Sequence, residues 1–274
     1  MNIPNGSKPP LLIDTPRPGV CRILLNRPEA RNAIDGSVRS ALDKALREAE
    51  EALHIRALIL GGAGGFFCAG GDLPTMVNLS ADAASCRMRE AHAIVRRLWH
   101  FPKPIVIALE GSAVGAGAAL ALLGDYIVMG AQSRLAFPFL KLGLVPDWGL
   151  SVSLPLRTGP NAAARLFVDC ATVDAERSLA LNLADEIVPV SDVMTQALLR
   201  AEEHARLALA AFGRLKSMRR AMTDITAALQ AEHDAQISCL TGAEFAEGFA
   251  AFREERAPDY LRLVQTPKGR DSAS

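Results

Sequence analysis

Two turns built almost wholly of small residues constrain this chain most. The first is Phe67-Cys68-Ala69-Gly70-Gly71-Asp72-Leu73, which follows the apolar run Ala57-Leu58-Ile59-Leu60 and a cluster of glycines at 61, 62, 64 and 65. The second is Gly111-Ser112-Ala113-Val114-Gly115-Ala116-Gly117, which follows Ile105-Val106-Ile107-Ala108-Leu109. Only a side chain of a methyl or less lets a ligand oxygen reach the peptide plane. Two such turns can bring two bare backbone N–H groups to one point. Paired N–H donors aimed at one oxygen form an oxyanion hole, often the largest catalytic term for a carbonyl substrate. Taken singly, each turn reads equally well as a tight backbone corner.

The bulk properties narrow the partners. Half of the 274 residues are apolar, enough for one large domain or a domain with an appendage. The formal net charge is zero, which gives no electrostatic case for nucleic acid or an anionic membrane. No apolar run is long enough to span a bilayer. The five cysteines, Cys21, Cys68, Cys86, Cys170 and Cys239, are odd in number and contain no C-x-x-C pair. Free thiols in a reducing cytoplasm are the expectation. The five histidines are scattered, so no bound metal is expected.

Strand-like runs fall at residues 20–25, 57–60, 105–109, 125–129 and 186–190. Helical periodicity separates them at 37–53, 82–99 and 116–123, with Asp35 or Ser37 as the cap of the first. The last of these is apolar all round, which predicts burial. Alternating strands and helices indicate an α/β architecture. After Asp192 the pattern is helical only, over 193–209, 221–239 and 241–255. The expected divisions are a loose N-terminal leader over 1–19, a core over 20–192, a helical region over 193–262 and a frayed tail over 263–274.

With these residues in view, the chain resembles the crotonase (enoyl-CoA hydratase/isomerase) superfamily from about Val20 to Tyr260. The resemblance lies in Leu25-Asn26-Arg27-Pro28, Asn32-Ala33, the 67–73 turn, Lys103-Pro104-Ile105, Gly115-Ala116-Gly117, Asp125, Leu142-Gly143-Leu144-Val145-Pro146, Glu247-Gly248-Phe249 and Arg256. It implies a spiral of ββα turns, a C-terminal helical trimerisation region, acyl-CoA thioester substrates and a homotrimer or dimer of trimers. It implies no cofactor beyond the CoA of the substrate. By position it places the two oxyanion donors on the N–H groups of Ala69 and Ala116, with Gly70, Gly115 and Leu73 beside the substrate. The dipole of the helix opening at Ala116 would add positive potential there.

The positions of the two glutamates that hydratases of this family use hold Ala119 and Phe139. Neither can transfer a proton, which argues against simple hydration. One carboxylate remains, in Val145-Pro146-Asp147-Trp148-Gly149. Several isomerase branches carry an acid in this turn, and the 1,2-epoxyphenylacetyl-CoA isomerase type is the nearest in pattern. A single carboxylate suits a proton moved from one carbon to another, and apolar neighbours Phe139 and Trp148 would raise its pKa. Asp in such a turn is also an ordinary helix cap. The resemblance further suggests His92 as a base in a hydrolase or dehalogenase reading, although a helical histidine is usually inert. Arg27, Arg31, Asp72, Lys216 and Arg256 are the candidates for contact with CoA. The expectation is an acyl-CoA isomerase working through a stabilised enolate. The alternatives are a thioester hydrolase or dehalogenase using Asp147 and His92, or a silent acyl-CoA binder.

Overall fold

A computed structural model describes residues 8–265. The strands are β1 (Leu11–Arg17), β2 (Val20–Leu25), β3 (Ala57–Gly62), β4 (Ile105–Leu109), β5 (Ser112–Val114), β6 (Tyr126–Gly130), β7 (Arg134–Ala136), β8 (Thr172–Asp174) and β9 (Glu186–Val188). The larger sheet has the order β1-β2-β3-β4-β6-β9, and the smaller is β5-β7-β8. From β2 to β9 the larger sheet is parallel; β1 adds an antiparallel edge. Residues 11–17 are therefore a paired strand and not part of a loose leader. Pro9 and Pro16 mask this run's strand character, and the hairpin turns at Gly19, whose φ of 79° suits glycine. Residues 1–7 of the expected leader lie outside the described residues.

Side-chain alternation decides how the sheet is covered. In β4, Ile105, Ile107 and Leu109 join one buried layer while Val106 and Ala108 join another. A strand buried on both faces needs cover on both sides. On the first face lie α1 (Gly36–Glu51), α2 (Ala81–His100) and α3 (Ala116–Leu122), followed in the chain by α4 (Leu150–Thr158), α5 (Pro160–Val168) and α6 (Ala175–Ala180). The second face is covered by α7 (Val193–Ala205) through Val193, Ala197, Ala201 and Ala205, spaced four apart. Small residues at that spacing let the helix lie close on the sheet. The expected division at 192/193 is thus displaced, because α7 belongs to the core.

The ββα spiral is visible in the pairing. β4, β5 and α3 form one turn, and β6, β7 and α4 the next. Earlier turns contribute single-residue bridges in place of strands: Ile34 pairs with Gly71, and Cys68 with Ala113. These short pieces stack into a second layer. The sequence did not announce β5, β7 and β8, because three residues are too few for a periodicity.

The C-terminal helices are α8 (Leu209–Arg220), α9 (Ile225–Leu240), α10 (Ala243–Arg253) and α11 (Tyr260–Gln265). The periodicity missed α8 and the break before it. Residues 263–265 of the expected frayed tail continue α11, and 266–274 lie outside the described residues. No described helix is long and apolar enough to cross a membrane. No group of three or more metal-ligating side chains occurs among the described residues.

Candidate active site

The first turn is held open from outside by Asn32. Its Nδ2 donates to the carbonyls of Ala63 (2.9 Å) and Phe66 (2.6 Å), and its Oδ1 accepts from Arg27 N (2.9 Å). Asn32 has a φ of 58° and is 1% exposed. A buried amide satisfied in this way fixes the path of the chain on both sides of the turn.

The successive N–H groups of the turn then have different fates. Ala69 N donates to Arg31 O at 2.9 Å, so it is not free for a substrate. Gly70 N points to Cys68 Sγ at 3.4 Å, and Asp72 N donates to Ile34 O at 3.1 Å. Gly71 N has no acceptor among the described residues. Its parallel bridge to Ile34 uses the groups of Gly70 and Asp72, which turns Gly71's own N–H to the other side. The amide of the expected donor Ala69 is therefore occupied, and the unused amide of this turn is that of Gly71, two residues on. Sequence spacing cannot tell which amide of a glycine turn faces inward; the bridge can.

The second turn meets the first at van der Waals distance. A methyl on Gly117 would lie 2.4 Å from Cys68 O, and one on Gly70 would lie 2.6 Å from Val114 O and 3.5 Å from Ala116 N. Bare glycines at both places let α3 start directly against the 67–71 segment. Ala116 N also has no acceptor among the described residues, and it lies in the first turn of α3. Two unused amides from different turns thus border one cavity.

That cavity measures about 440 Å³. Gly70, Gly71, Gly115 and Ala116 form one part of its wall, and Leu73, Met76, Met88, Phe139 and Trp148 make much of the remainder apolar. Asp147 supplies the one carboxyl group among the lining residues. Its turn is strained: Trp148 has a φ of 57°, rare for a bulky residue, and Gly149 follows at 71°.

Behind Asp147 stands α9. Gln236 Nε2 donates to Asp147 Oδ2, while Gln236 Oε1 accepts from Val145 N at 3.2 Å. Asp147 Oδ1 is buried and has no hydrogen-bond partner among the described residues. Glu232, one helical turn away on α9, accepts from Gly149 N at 2.9 Å and from Ser151 Oγ at 2.6 Å. Burial, then the charge of Glu232, push the Asp147 carboxyl up to about 7. The expected rise is present, with Glu232 adding to the apolar surroundings.

Other expected site residues are placed elsewhere. His92 does not line the cavity; it is 2% exposed, with Nε2 3.4 Å from Glu232 Oε2. Lys216 is buried and gives Nζ to Asp125 Oδ2 at 2.6 Å, while Asp125 also accepts from Ile105 N at 3.0 Å. This ties α8 to the start of β4, and Lys216 does not line the cavity. Arg27 bonds Asp72 (2.9 Å) and the carbonyl of Ala33 (2.7 Å), and neither it nor Asp72 lines the cavity. Arg31 lies over the Phe66 ring at 6.0 Å. Arg256 does line the cavity, with its guanidinium held by Glu247 and Glu254. Sequence reading missed Gln236, Glu232, Arg39 and Arg87. For the α9 pair the available signal was two polar residues four apart on a helix otherwise read for its apolar stripe.

Comparison with known proteins identifies the family. Residues 16–262 match the family described as Enoyl-CoA hydratase/isomerase. The chain is 33% identical to the 1,2-epoxyphenylacetyl-CoA isomerase of Escherichia coli K12 over 248 residues, covering 88% of this chain and 95% of that protein. It is 29% identical to the 2,3-dehydroadipyl-CoA hydratase of the same organism, covering 88% and 94%. Among solved structures, the enoyl-CoA hydratase/isomerase of Pseudoalteromonas atlantica T6c superimposes with a TM-score of 0.83 at 29% identity, covering 92% of this chain and 99% of that one. The chain belongs to the enoyl-CoA hydratase/isomerase family.

Proposed function

We propose that this protein isomerises an acyl-CoA thioester through an enolate, by shifting a double bond or by opening or rearranging a ring. The thioester oxygen sits between Gly71 N–H and Ala116 N–H. The Asp147 carboxylate takes a proton from carbon: a C–H bond breaks, an O–H bond forms, and the electron pair moves onto the oxygen between the two amides. Donors already in place favour that charge without reorganisation. Asp147 then returns the proton to another carbon, and the carbonyl re-forms.

The observation that carries this reading is the single carboxyl in the cavity wall, with one oxygen buried and unpartnered. Hydration of a double bond calls for a group to activate water and one to protonate carbon. Ala119 and Phe139 cannot serve, and the oxygens of Glu232 are taken by Gly149 and Ser151. A carboxyl with a pKa near 7 can both accept and return a proton at neutral pH. The burial of His92 away from the cavity speaks against the hydrolase or dehalogenase reading. CoA is part of the substrate, and no further cofactor enters. Assembly as a trimer or a dimer of trimers belongs to the same proposal. The exposed Leu215, Met218 and Met222 on and after α8 support a covered surface there.

The test is incubation with enoyl- and aryl-CoA thioesters in heavy water, following deuterium at the carbon beside the carbonyl. Exchange that disappears in Asp147→Asn is expected. Full exchange in that variant would remove Asp147 from the mechanism. Ligand-induced stabilisation with no exchange from any thioester would favour the silent binder.

A further inference from the structure

Of the three arginines that line the cavity, Arg256 is held by Glu247 and Glu254, while Arg39 and Arg87 have no carboxylate to match both. Arg39, on α1, gives Nε to Glu90 Oε2 at 2.8 Å, and its Nη1 is buried with no partner. The residue is 8% exposed. Arg87, on α2, donates to the neutral hydroxyl of Thr75 at 3.1 Å, and among the described residues it has no ion pair. Burial, and next the charge of Arg39, lower the Arg87 pKa to about 10. Both arginines also line a second cavity of about 350 Å³, beside Gly36, Thr75 and Glu90. They stand as the partition between the two spaces.

Like charges withdrawn from water side by side are unfavourable unless an anion joins them. Asp147, Asp72 and Glu90 act on Arg87 through space, yet none bonds to it. The rest of the wall near the pair is apolar, with Ile34, Met76 and Met88. A methyl on Gly71 would lie 3.1 Å from Arg87 Nη2, so the guanidinium borders the amide assigned to the thioester oxygen. An acyl group seated there runs past Arg87 within a short chain length. The planar forks of arginine match the two oxygens of a carboxylate.

We propose that the acyl pocket selects thioesters whose acyl group carries a second, anionic end, a carboxylate received by Arg87 and Arg39. This rests on the acyl-CoA reading of the cavity and names its substrate class as the mono-CoA thioesters of dicarboxylic acids.

The test is calorimetric titration of the full chain with saturated diacid mono-CoA thioesters from malonyl- to pimeloyl-CoA, each paired with the neutral acyl-CoA of equal chain length. The CoA contribution cancels within each pair. For at least one length the diacid is expected to bind tighter by roughly tenfold or more. That ratio should fall to about one in Arg87→Met and in Arg39→Met, and survive in part in Arg87→Lys, which keeps the charge. The proposal is overturned by neutral thioesters that bind as tightly as diacids at every length, or by a ratio that persists in both Met variants. Equal weakening of both members of each pair would assign the arginines to CoA and overturn it as well. Should a Met variant fail to fold, Arg87→Gln and Arg39→Gln decide: a ratio that falls toward one supports the carboxylate site, and a ratio unchanged from the parent in both overturns it. Loss of deuterium exchange with an intact ratio would sink the enolate reading alone; an absent ratio with intact exchange would sink this one alone.

Discussion

Gln236 holds Asp147 from 89 residues further along the chain, by a 3.0 Å hydrogen bond from Nε2 to Oδ2. That bond favours the carboxylate, while burial and Glu232 favour the neutral acid. Exchange should therefore rise with pH through about 7 and level off above it. Removing the donor in Gln236→Met should move this limb upward by about one pH unit, the weight of one neutral hydrogen bond. Glu232→Gln should move it downward. A pH–rate profile of deuterium exchange checks both, and opposite or absent movements would detach α9 from the proton-transfer step.

The same raised pKa has a cost in stability. Unfolded, Asp147 ionises near 3.8; folded, near 7. The folded state binds the extra proton between these values, so the contribution of Asp147 is fully present below about 4 and is lost as pH rises to about 7. Asp147→Asn should then be more stable than the parent at pH 8, by on the order of 2–4 kcal/mol, and nearly equal to it at pH 4. Chemical denaturation at the two pH values measures this. A variant destabilised at both would mean that the buried carboxylate is better paired than its unpartnered Oδ1 indicates.

Gly70→Ala should damage fold and chemistry together. Its φ of 94° disfavours any side chain, and the new methyl would meet Val114 O. Separating the two turns pulls Gly71 N from Ala116 N. The expected loss in exchange is about a hundredfold or more, the size of losing one oxyanion donor. A variant that folds and exchanges at the parent rate would show that the two amides do not act as a pair.

Lys216→Met tests the correction at α8. Breaking its buried pair with Asp125 should destabilise by about 2–4 kcal/mol, softened by Arg220 at 3.5 Å from the same carboxylate. The KM for any acyl-CoA should stay within about twofold of the parent, since uniform binding is untouched. A large rise in KM with unchanged stability would return Lys216 to the nucleotide.

His92→Ala should lower the melting temperature through the cavity it leaves, with exchange kept within about threefold. Loss of exchange in a stable His92→Ala protein would revive the two-residue hydrolytic mechanism.

What the sequence made legible follows the length of each pattern. The runs at 20–25 and 105–109 are strands at those bounds, and the periodic helices at 37–53 and 82–99 lie within a residue or two of α1 and α2. The short strands of the smaller sheet and the single bridges through Ile34 and Cys68 carry no pattern, and they are what aim the amides. Asp147 came into view through the resemblance, as the carboxylate left in a turn where isomerase branches carry an acid. Gly71 was not, because neighbouring glycines look alike until a bridge fixes which N–H turns inward. Lys216 was misplaced because a cation on a helix reads as surface until a buried aspartate is seen opposite it.

The reliance of Asp147 on α9 also orders events during synthesis. A nascent chain released up to the end of α7 could already build the covered parallel sheet and bring the two turns together. Its carboxylate would still lack Gln236, and the Gly149 amide would still lack Glu232. Reactivity should thus arrive late, only once the last third of the polypeptide has cleared the ribosome and docked.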